Sequence, residues 1–183
     1  DHKAMTGPGG VVLEKNTELT KFINWATEAK HNGTKVWMQI NHPGRQVYKK
    51  MQGKVYSPSD IPLAMGKFSK LFGTPTAMTE AQIKDVIIRF GDTAEQAQKA
   101  GFDGVEIHGA HGYLIAQFLS PLVNNRNDEW GGSINNRAKL LIEIIKQVKK
   151  QTRDDFSIGV KLNSADFQRG GFDIGDAIHV VKM

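Results

Sequence analysis

The sequence of 183 residues contains no cysteine. Disulfide bonds, cysteine-ligated zinc, iron–sulfur clusters and a cysteine nucleophile are therefore excluded from this chain. It also lacks an apolar run long enough to cross a membrane, which excludes a spanning helix. The chain begins at Asp1 with no basic segment leading into an apolar one, so we expect no signal peptide. A cytoplasmic location is a separate expectation.

The excess of positive over negative charge is small as well. The chain has 24 lysines and arginines and 19 aspartates and glutamates, for a net charge of +5. The basic residues form scattered pairs, such as Lys49-Lys50 and Lys149-Lys150, without interleaved aromatics. This pattern favours a solvated surface over a nucleic-acid interface. A slightly basic surface also suits anionic small molecules such as phosphates. We therefore expect a small-molecule partner, no nucleic acid and no membrane.

Strand and helix signals alternate along the chain. They predict strands over 35–41, 102–108 and 157–163, and helices over 19–32, 80–100, 135–150 and 174–183, with Thr79 and Gln82 forming a capping box. This order indicates parallel strands joined by helical crossovers. An open doubly wound sheet and a closed eightfold barrel both fit this order. A complete eightfold barrel needs about 250 residues, so this chain would contain fewer than half of the barrel's strands.

Two long segments carry no helix or strand signal. Residues 42–78 are rich in Gly, Pro, Ser and Lys, which predicts a functional loop or lid, with a hairpin around Gly53. Residues 109–133 are predicted to be a polar loop with a turn at Gly131-Gly132. The final helical pattern stops part-way, so we expect a piece of a longer protein.

Polar side chains gather at the C-terminal end of each predicted strand, with Gln39 in the first, His108 in the second and Lys161 in the third. Because ligands of parallel α/β folds bind at the carboxyl ends of strands, these three residues are predicted to converge on one ligand. The alternative, that they only form internal hydrogen bonds, fits the spacing equally well.

The densest polar signal is the segment His108-Gly109-Ala110-His111-Gly112-Tyr113. Two imidazoles can donate hydrogen bonds to one carbonyl oxygen and stabilise negative charge that develops there, and a nearby tyrosine can deliver a proton. A metal site is the other interpretation. Only two histidines are local, however, and no acidic residue stands at a known ligand spacing, so we predict no metal.

Three motifs resemble the old yellow enzyme family, the FMN-dependent NAD(P)H:flavin oxidoreductases with a TIM-barrel fold. They are MQINHPGR at 38–45, GFDGVEIHGAHGYLIAQFLSPLVNNRNDEWGGSINNR at 101–137 and VKLNSADFQRGGF at 160–172. The resemblance implies a partial (β/α)8 TIM barrel that is truncated at both ends, with the visible strands as the third, fourth and fifth of eight. It further implies that residues 42–78 cover the site.

The resemblance also implies roles for individual residues. Gln39 would pair with the pyrimidine edge of FMN, and Lys161, where many members have arginine, would lie near its N1 atom and C2 carbonyl. His108 and His111 would hold the carbonyl oxygen of an α,β-unsaturated substrate. Tyr113 would protonate the α carbon after hydride from NADH or NADPH has passed through FMN to the β carbon. Architectural roles in ion pairs and turns are expected for Arg126, Asp128, Gly131, Gly132 and Arg137.

Other functions stay open at this point. A dienoyl-thioester reductase or a demethylating dehydrogenase is a second enzyme class within the superfamily. A non-catalytic half-barrel that self-assembles as a homo-oligomer without flavin is an alternative of another kind, and a metal-dependent barrel hydrolase is the last. The natural substrate and the choice between NADH and NADPH are not predicted.

Overall fold

The structure is a computed structural model and describes residues 4, 5 and 7–183, so the predictions about the start at Asp1 lie outside the described residues. Strands and α-helices within these residues are α1 (Thr20–Ala29), β1 (Trp37–Ile40), β2 (Tyr56–Ser57), β3 (Thr76–Ala77), α2 (Glu80–Lys99), β4 (Gly104–Gly109), α3 (Leu114–Leu119), α4 (Ile134–Gln151), β5 (Ser157–Leu162) and α5 (Ile174–Val181). No helix in this part of the chain has the length and apolar character needed to span a membrane.

The main sheet has three parallel strands in the order β1-β4-β5. Helix α2 connects β1 to β4 and helix α4 connects β4 to β5, which is the crossover arrangement that parallel strands require. One face of the sheet presents apolar side chains to a core shared with these helices: Met38, Ile40, Val105 and Ile107. The predicted α/β class, the three strands and the four helices are therefore confirmed, with ends that differ by a few residues.

Alternation along the strands leaves the other face of the sheet polar. Trp37 lies at the start of β1 on this face and covers Gly104 and Gly159, where an added Cβ would come within 3.0 Å and 2.6 Å of the indole. Gln39 follows two residues later on the same side, and both residues are exposed. On this face, β1 therefore contributes an apolar side chain, Trp37, at its start and a polar one, Gln39, near its carboxyl end.

Helix ends follow the capping rules that the sequence predicts. At the start of α2, the Thr79 hydroxyl accepts a hydrogen bond from the Gln82 amide at 3.3 Å, and the Gln82 side chain accepts one from the Thr79 amide at 2.8 Å. Gly101 follows the helix with φ of +95°, a left-handed conformation that glycine adopts without a steric penalty. The predicted capping box and glycine stop are both confirmed.

Two predictions about the loops were wrong. Residues 109–133 are not only a polar loop, because Leu114–Leu119 form the helix α3 with all six side chains buried. This segment has five apolar residues and Gln117, all buried, and six residues are too few to show helical periodicity, so no helix is predicted here. The hairpin expected around Gly53 is also absent from the described chain. Instead, β2 pairs in parallel with β3, and Tyr48 bridges to Phe72.

Arg137 of α4 connects three helices. Its guanidinium is buried, donates a hydrogen bond to the Leu119 carbonyl at the end of α3, and pairs with Asp176 of α5 at 3.1 Å. A buried cation is stable only with such partners. The architectural role predicted for this arginine is confirmed.

Replacing Gly44 should destabilise the fold through a steric conflict. Gly44 has φ of +59°, and a Cβ at this position would lie 2.2 Å from Oε1 of Gln117. Gly44→Ala should therefore lose about 1–2 kcal/mol for the left-handed backbone and about 1–3 kcal/mol more for overpacking. Thermal unfolding of the full-length protein measures the loss.

The matched control is Gly66→Ala, because Gly66 has a similar φ of +54° and open space around its Cβ position. It should lose only the backbone contribution. Equal melting temperatures for the two variants would show that the Gly44–Gln117 contact does not matter.

Candidate functional site

The carboxyl ends of β1, β4 and β5 bring polar side chains together on the polar face of the sheet. In the strand register, Gln39 lies opposite Glu106, and His108 lies opposite Lys161. The Gln39 amide nitrogen donates a hydrogen bond to the Glu106 carboxylate. Gln39, His108 and Lys161 thus lie at the carboxyl ends of three adjacent strands, and their convergence on one ligand stays a prediction. Glu106 is an additional polar residue at this end of the sheet, to which the sequence analysis gave no role.

His108 lies between the rings of His111 and Tyr113. Its ring centroid is 5.0 Å from that of His111 and 5.1 Å from that of Tyr113, with interplanar angles of 81° and 87°. His108 is only 4% exposed, whereas His111 is exposed and Tyr113 is half-buried. The three side chains thus form one edge-to-face cluster that solvent reaches from the His111 side.

The hydrogen bonds of His108 fix its tautomer when the ring is neutral. Its Nδ1 accepts a hydrogen bond from the Ala110 amide at 3.2 Å, so the proton is carried by Nε2. Burial lowers the pKa of His108, the neighbouring His111 and Lys161 lower it further, and Glu106 partly opposes them. At neutral pH, His108 is therefore an uncharged hydrogen-bond donor.

An unusual backbone turn places His111. His111 and Gly112 have φ of +57° and +69°, and this conformation costs a non-glycine residue about 1–2 kcal/mol. Two hydrogen bonds hold the turn. The His111 amide donates to Asn163 Oδ1 at 3.1 Å, and Gln46 Nε2 donates to the His111 carbonyl at 2.9 Å.

Gln117 joins this turn to the one that follows β1. Its side chain is 1% exposed and donates from Nε2 to the carbonyls of Gly112 at 2.7 Å and Pro43 at 3.2 Å. Its Oε1 accepts from the Arg45 amide at 3.2 Å. The sequence reasoning missed both Gln46 and Gln117, because each acts on backbone atoms and belongs to no spacing pattern.

His42, two residues after the end of β1, is buried, with 5% of its surface exposed. Its Nδ1 accepts a hydrogen bond from the Gly44 amide at 3.1 Å, and its carbonyl accepts one from the Leu114 amide at 3.0 Å. Nε2 is buried without a partner among the described residues. Burial lowers the pKa of His42 to about 3, with a smaller contribution from the positive charge of Arg89. The ring is therefore neutral and positions the turn.

Arg126 holds together Pro58 and Met78, the two ends of the second half of the 42–78 segment. It pairs with Asp128 at 2.5 Å and donates to the carbonyls of Pro58 at 3.0 Å and Met78 at 2.7 Å. Its predicted role in architecture is confirmed.

A concave region of about 540 Å³ lies elsewhere, beside the outer edge of β1. Residues 11–17, α2 and β1 line it, and both Gln39 and His42 reach it. Among the described residues, no group of three or more His, Cys, Asp or Glu side chains could hold a metal ion. The reactive side chains that the described residues bring together are therefore those at the carboxyl ends of the strands and the His108–His111–Tyr113 cluster.

Comparison with known sequences gives one consistent family. A sequence model of the NADH:flavin oxidoreductase / NADH oxidase family matches residues 2–183. The NADH-dependent flavin oxidoreductase nadA of Aspergillus parasiticus is 43% identical over 159 residues, which are 87% of this chain and 36% of that protein. The NADPH dehydrogenase of Clostridium acetobutylicum is 39% identical over 175 residues, or 95% and 49%. The chain thus spans half or less of the length of these relatives.

Solved structures agree with the sequence comparison. The complex of 2-naphthoyl-CoA reductase with 2-naphthoyl-CoA matches with a TM-score of 0.92 at 29% identity, over 100% of this chain and 29% of that one. The old yellow enzyme homologue from Zymomonas mobilis matches with a TM-score of 0.85 at 25% identity, over 97% and 51%. The chain therefore has the fold of part of these larger proteins. The numbering of β1, β4 and β5 as the third to fifth barrel strands stays a prediction.

The buried neutral His42 should make stability depend on pH. An unfolded histidine binds a proton below about pH 6.5, whereas folded His42 stays neutral down to about pH 3. The unfolded state thus binds more protons in this window, so the free energy of unfolding should fall as the pH drops, by up to about 1.4 kcal/mol per pH unit.

Chemical denaturation of the full-length protein between pH 7 and pH 4 measures this slope. His42→Asn keeps a side-chain acceptor for the Gly44 amide and should give a shallower slope, while replacement of the exposed His31 by Asn should not. An unchanged slope in His42→Asn would contradict the assignment.

Proposed function

The chain belongs to the NADH:flavin oxidoreductase / NADH oxidase family, whose cofactors are FMN and NAD(P)H, and on this premise we propose a reaction for the full-length protein. It passes hydride from NADH or NADPH through FMN to the alkene of an α,β-unsaturated carbonyl, with Tyr113 as the proton donor. The observation that carries this proposal is the cluster in which His108 contacts both His111 and Tyr113 beside Gln39 and Lys161.

The side chains at the sheet edge fit the polar edge of a flavin. The Gln39 side-chain amide carries both hydrogen-bond donors and an acceptor. Because its Nε2 donates to Glu106 on β4, its Oε1 acceptor points away from β4. Lys161 adds a positive charge on the same face, which favours negative charge on a group held there. When bound, FMN supplies a carrier that accepts hydride from the reductant and gives it to the substrate.

The histidine pair provides the electrophilic part of the mechanism. His108 is neutral and carries its proton on Nε2, so it can donate a hydrogen bond to a carbonyl oxygen without bringing a full charge. His111, held by its left-handed turn, approaches the same position from the solvent side. Together they withdraw electrons from the conjugated alkene and stabilise the enolate oxygen.

Tyr113 is placed to act on the adjacent carbon. It precedes α3 as its N-cap residue, and its ring contacts His108 edge-on. Its hydroxyl donates the proton to the α carbon, which completes the reduction. A cytoplasmic location and a homo-oligomer are further parts of the proposal.

A second candidate substrate class is supported by one observation. The solved structure that matches with a TM-score of 0.92 is a reductase bound to 2-naphthoyl-CoA, a coenzyme A thioester. A thioester carbonyl can occupy the same position beside His108 and His111 as a ketone carbonyl. An acyl-CoA substrate is therefore the alternative to a small unsaturated ketone or aldehyde.

The purified full-length protein should contain FMN and show its visible absorption. Lys161→Gln should weaken FMN binding about ten- to hundredfold, because a charge-assisted hydrogen bond contributes about 1.5–3 kcal/mol. Lys150→Gln, an exposed lysine on α4, is the control and should not change it. A colourless wild-type protein that ignores added FMN would support the non-catalytic half-barrel instead.

Tyr113→Phe should separate the two half-reactions. Reduction of the FMN-loaded protein by NAD(P)H should be unchanged, while its reoxidation by 2-cyclohexenone should slow by about 10²–10⁴, the usual contribution of a general acid. Stopped-flow absorbance follows both steps. Tyr56→Phe is the control, since Tyr56 contacts Gln82 away from the cluster, and equal reoxidation rates for all three proteins would remove Tyr113 from the mechanism.

A further inference from the structure

The net charge of the chain is concentrated in one segment. Residues 42–78, here called the basic lid, contain five lysines and Arg45 against the single carboxylate of Asp60. Their net charge of +5 equals that of the whole chain, so the remaining residues are neutral overall. A neutral body with one basic segment indicates a local electrostatic role for that segment.

The beginning of the basic lid is fixed beside the histidine–tyrosine cluster. Gln46 binds the His111 carbonyl at 2.9 Å, the Arg45 amide binds Gln117, and Val47 is completely buried. The exposed part of the lid begins at the next residue, Tyr48. The lid therefore leaves the core directly next to the position proposed for the substrate carbonyl.

Pairing within the lid brings its lysines to one place. The Tyr48 ring stacks on Phe72 with centroids 4.9 Å apart, and the Gly73 amide donates to the Val47 carbonyl at 3.0 Å. The short 3-10 turns on either side of this stack are Lys49–Met51 and Gly66–Leu71. Four of the five lysines therefore lie in the two turns that the Tyr48–Phe72 contact places next to each other: Lys49, Lys50, Lys67 and Lys70.

These cations are not neutralised within the part of the chain that the structure describes. All five lid lysines are exposed, and none forms an ion pair with a described residue. Exposed apolar side chains stand among them: Met65, Phe68 and Leu71. Unpaired cations beside an exposed aromatic ring suit a ligand that combines phosphates with a flat base.

We propose that the basic lid binds the phosphate groups of a nucleotide-bearing reactant, so that the site prefers phosphorylated ligands. This rests on the proposed function, and two reactants share the required chemistry: NADPH as the reductant and an acyl-CoA thioester as the substrate. Either ligand would place its reacting end at the FMN and the His108–His111 pair and its phosphates against the lid lysines.

The test uses the FMN-loaded full-length protein with the double variant Lys67→Gln/Lys70→Gln. KM is measured for NADPH, for crotonyl-CoA and for 2-cyclohexenone, which has no phosphate. Loss of two exposed cations should raise KM for the phosphorylated ligand about tenfold and reduce its dependence on salt. KM for 2-cyclohexenone and the FMN content should not change.

The two phosphorylated ligands distinguish the possible partners of the lid. A higher KM for NADPH alone identifies the reductant as the bound partner, and a higher KM for crotonyl-CoA alone identifies the substrate.

The matched control is Lys149→Gln/Lys150→Gln, two exposed lysines in the last turn of α4. Equal KM values for the phosphorylated ligands in the lid variant and the wild type would overturn the proposal. An equally large increase in KM for 2-cyclohexenone, or in the control variant, would also overturn it.

A wild-type protein without FMN would refute the proposed function instead. In that case calorimetric titration of NADPH and coenzyme A into the wild type and the lid variant still tests the lid, because equal or absent binding overturns it.

Discussion

One buried side chain holds the site together. Gln117 makes three hydrogen bonds, to the carbonyls of Pro43 and Gly112 and from the amide of Arg45, and so links the turn after β1 to the turn that carries His111. A buried amide is costly unless it is satisfied in this way. The same close contact explains why position 44 is glycine. The strained His111 turn and the beginning of the basic lid both depend on this network.

The sheet divides the tasks of stability and chemistry between its two faces. The side of β1 and β4 that carries Met38, Ile40, Val105 and Ile107 is covered by helices and supplies the core. The alternate residues of the same strands supply Gln39, Glu106 and His108. Since adjacent residues point to opposite faces, a shift of one residue in register would exchange the two sets. Core packing therefore fixes the positions of the polar residues.

Local signals made much of this structure predictable from sequence. Thr79 and Gln82 identified the start of α2, Gly101 its end, and polar residues at the strand ends identified the site edge, because each depends on neighbours in the chain. The short helix α3 and the pairing of β2 with β3 were not predictable, since tertiary burial of the six α3 side chains, Gln117 among them, and contacts across the basic lid create them. Gln46, Glu106 and Gln117 were missed for a related reason. Their partners are distant in sequence, and two of these residues act on backbone atoms, which leave no trace in residue patterns.

Trp37 gives the polar face an optical property of its own. It lies over Gly104 and Gly159 and is two residues before Gln39 on the same side of β1, a separation of about 7 Å along the strand. Trp130, in contrast, is buried beneath the side chain of Lys139, whose ammonium is 4.7 Å from its ring. The indole emission of Trp37 is therefore sensitive to whatever occupies the carboxyl end of the sheet, while that of Trp130 reports the integrity of the core. Two of the three tryptophans therefore report different events, Trp37 the occupancy of the site and Trp130 unfolding.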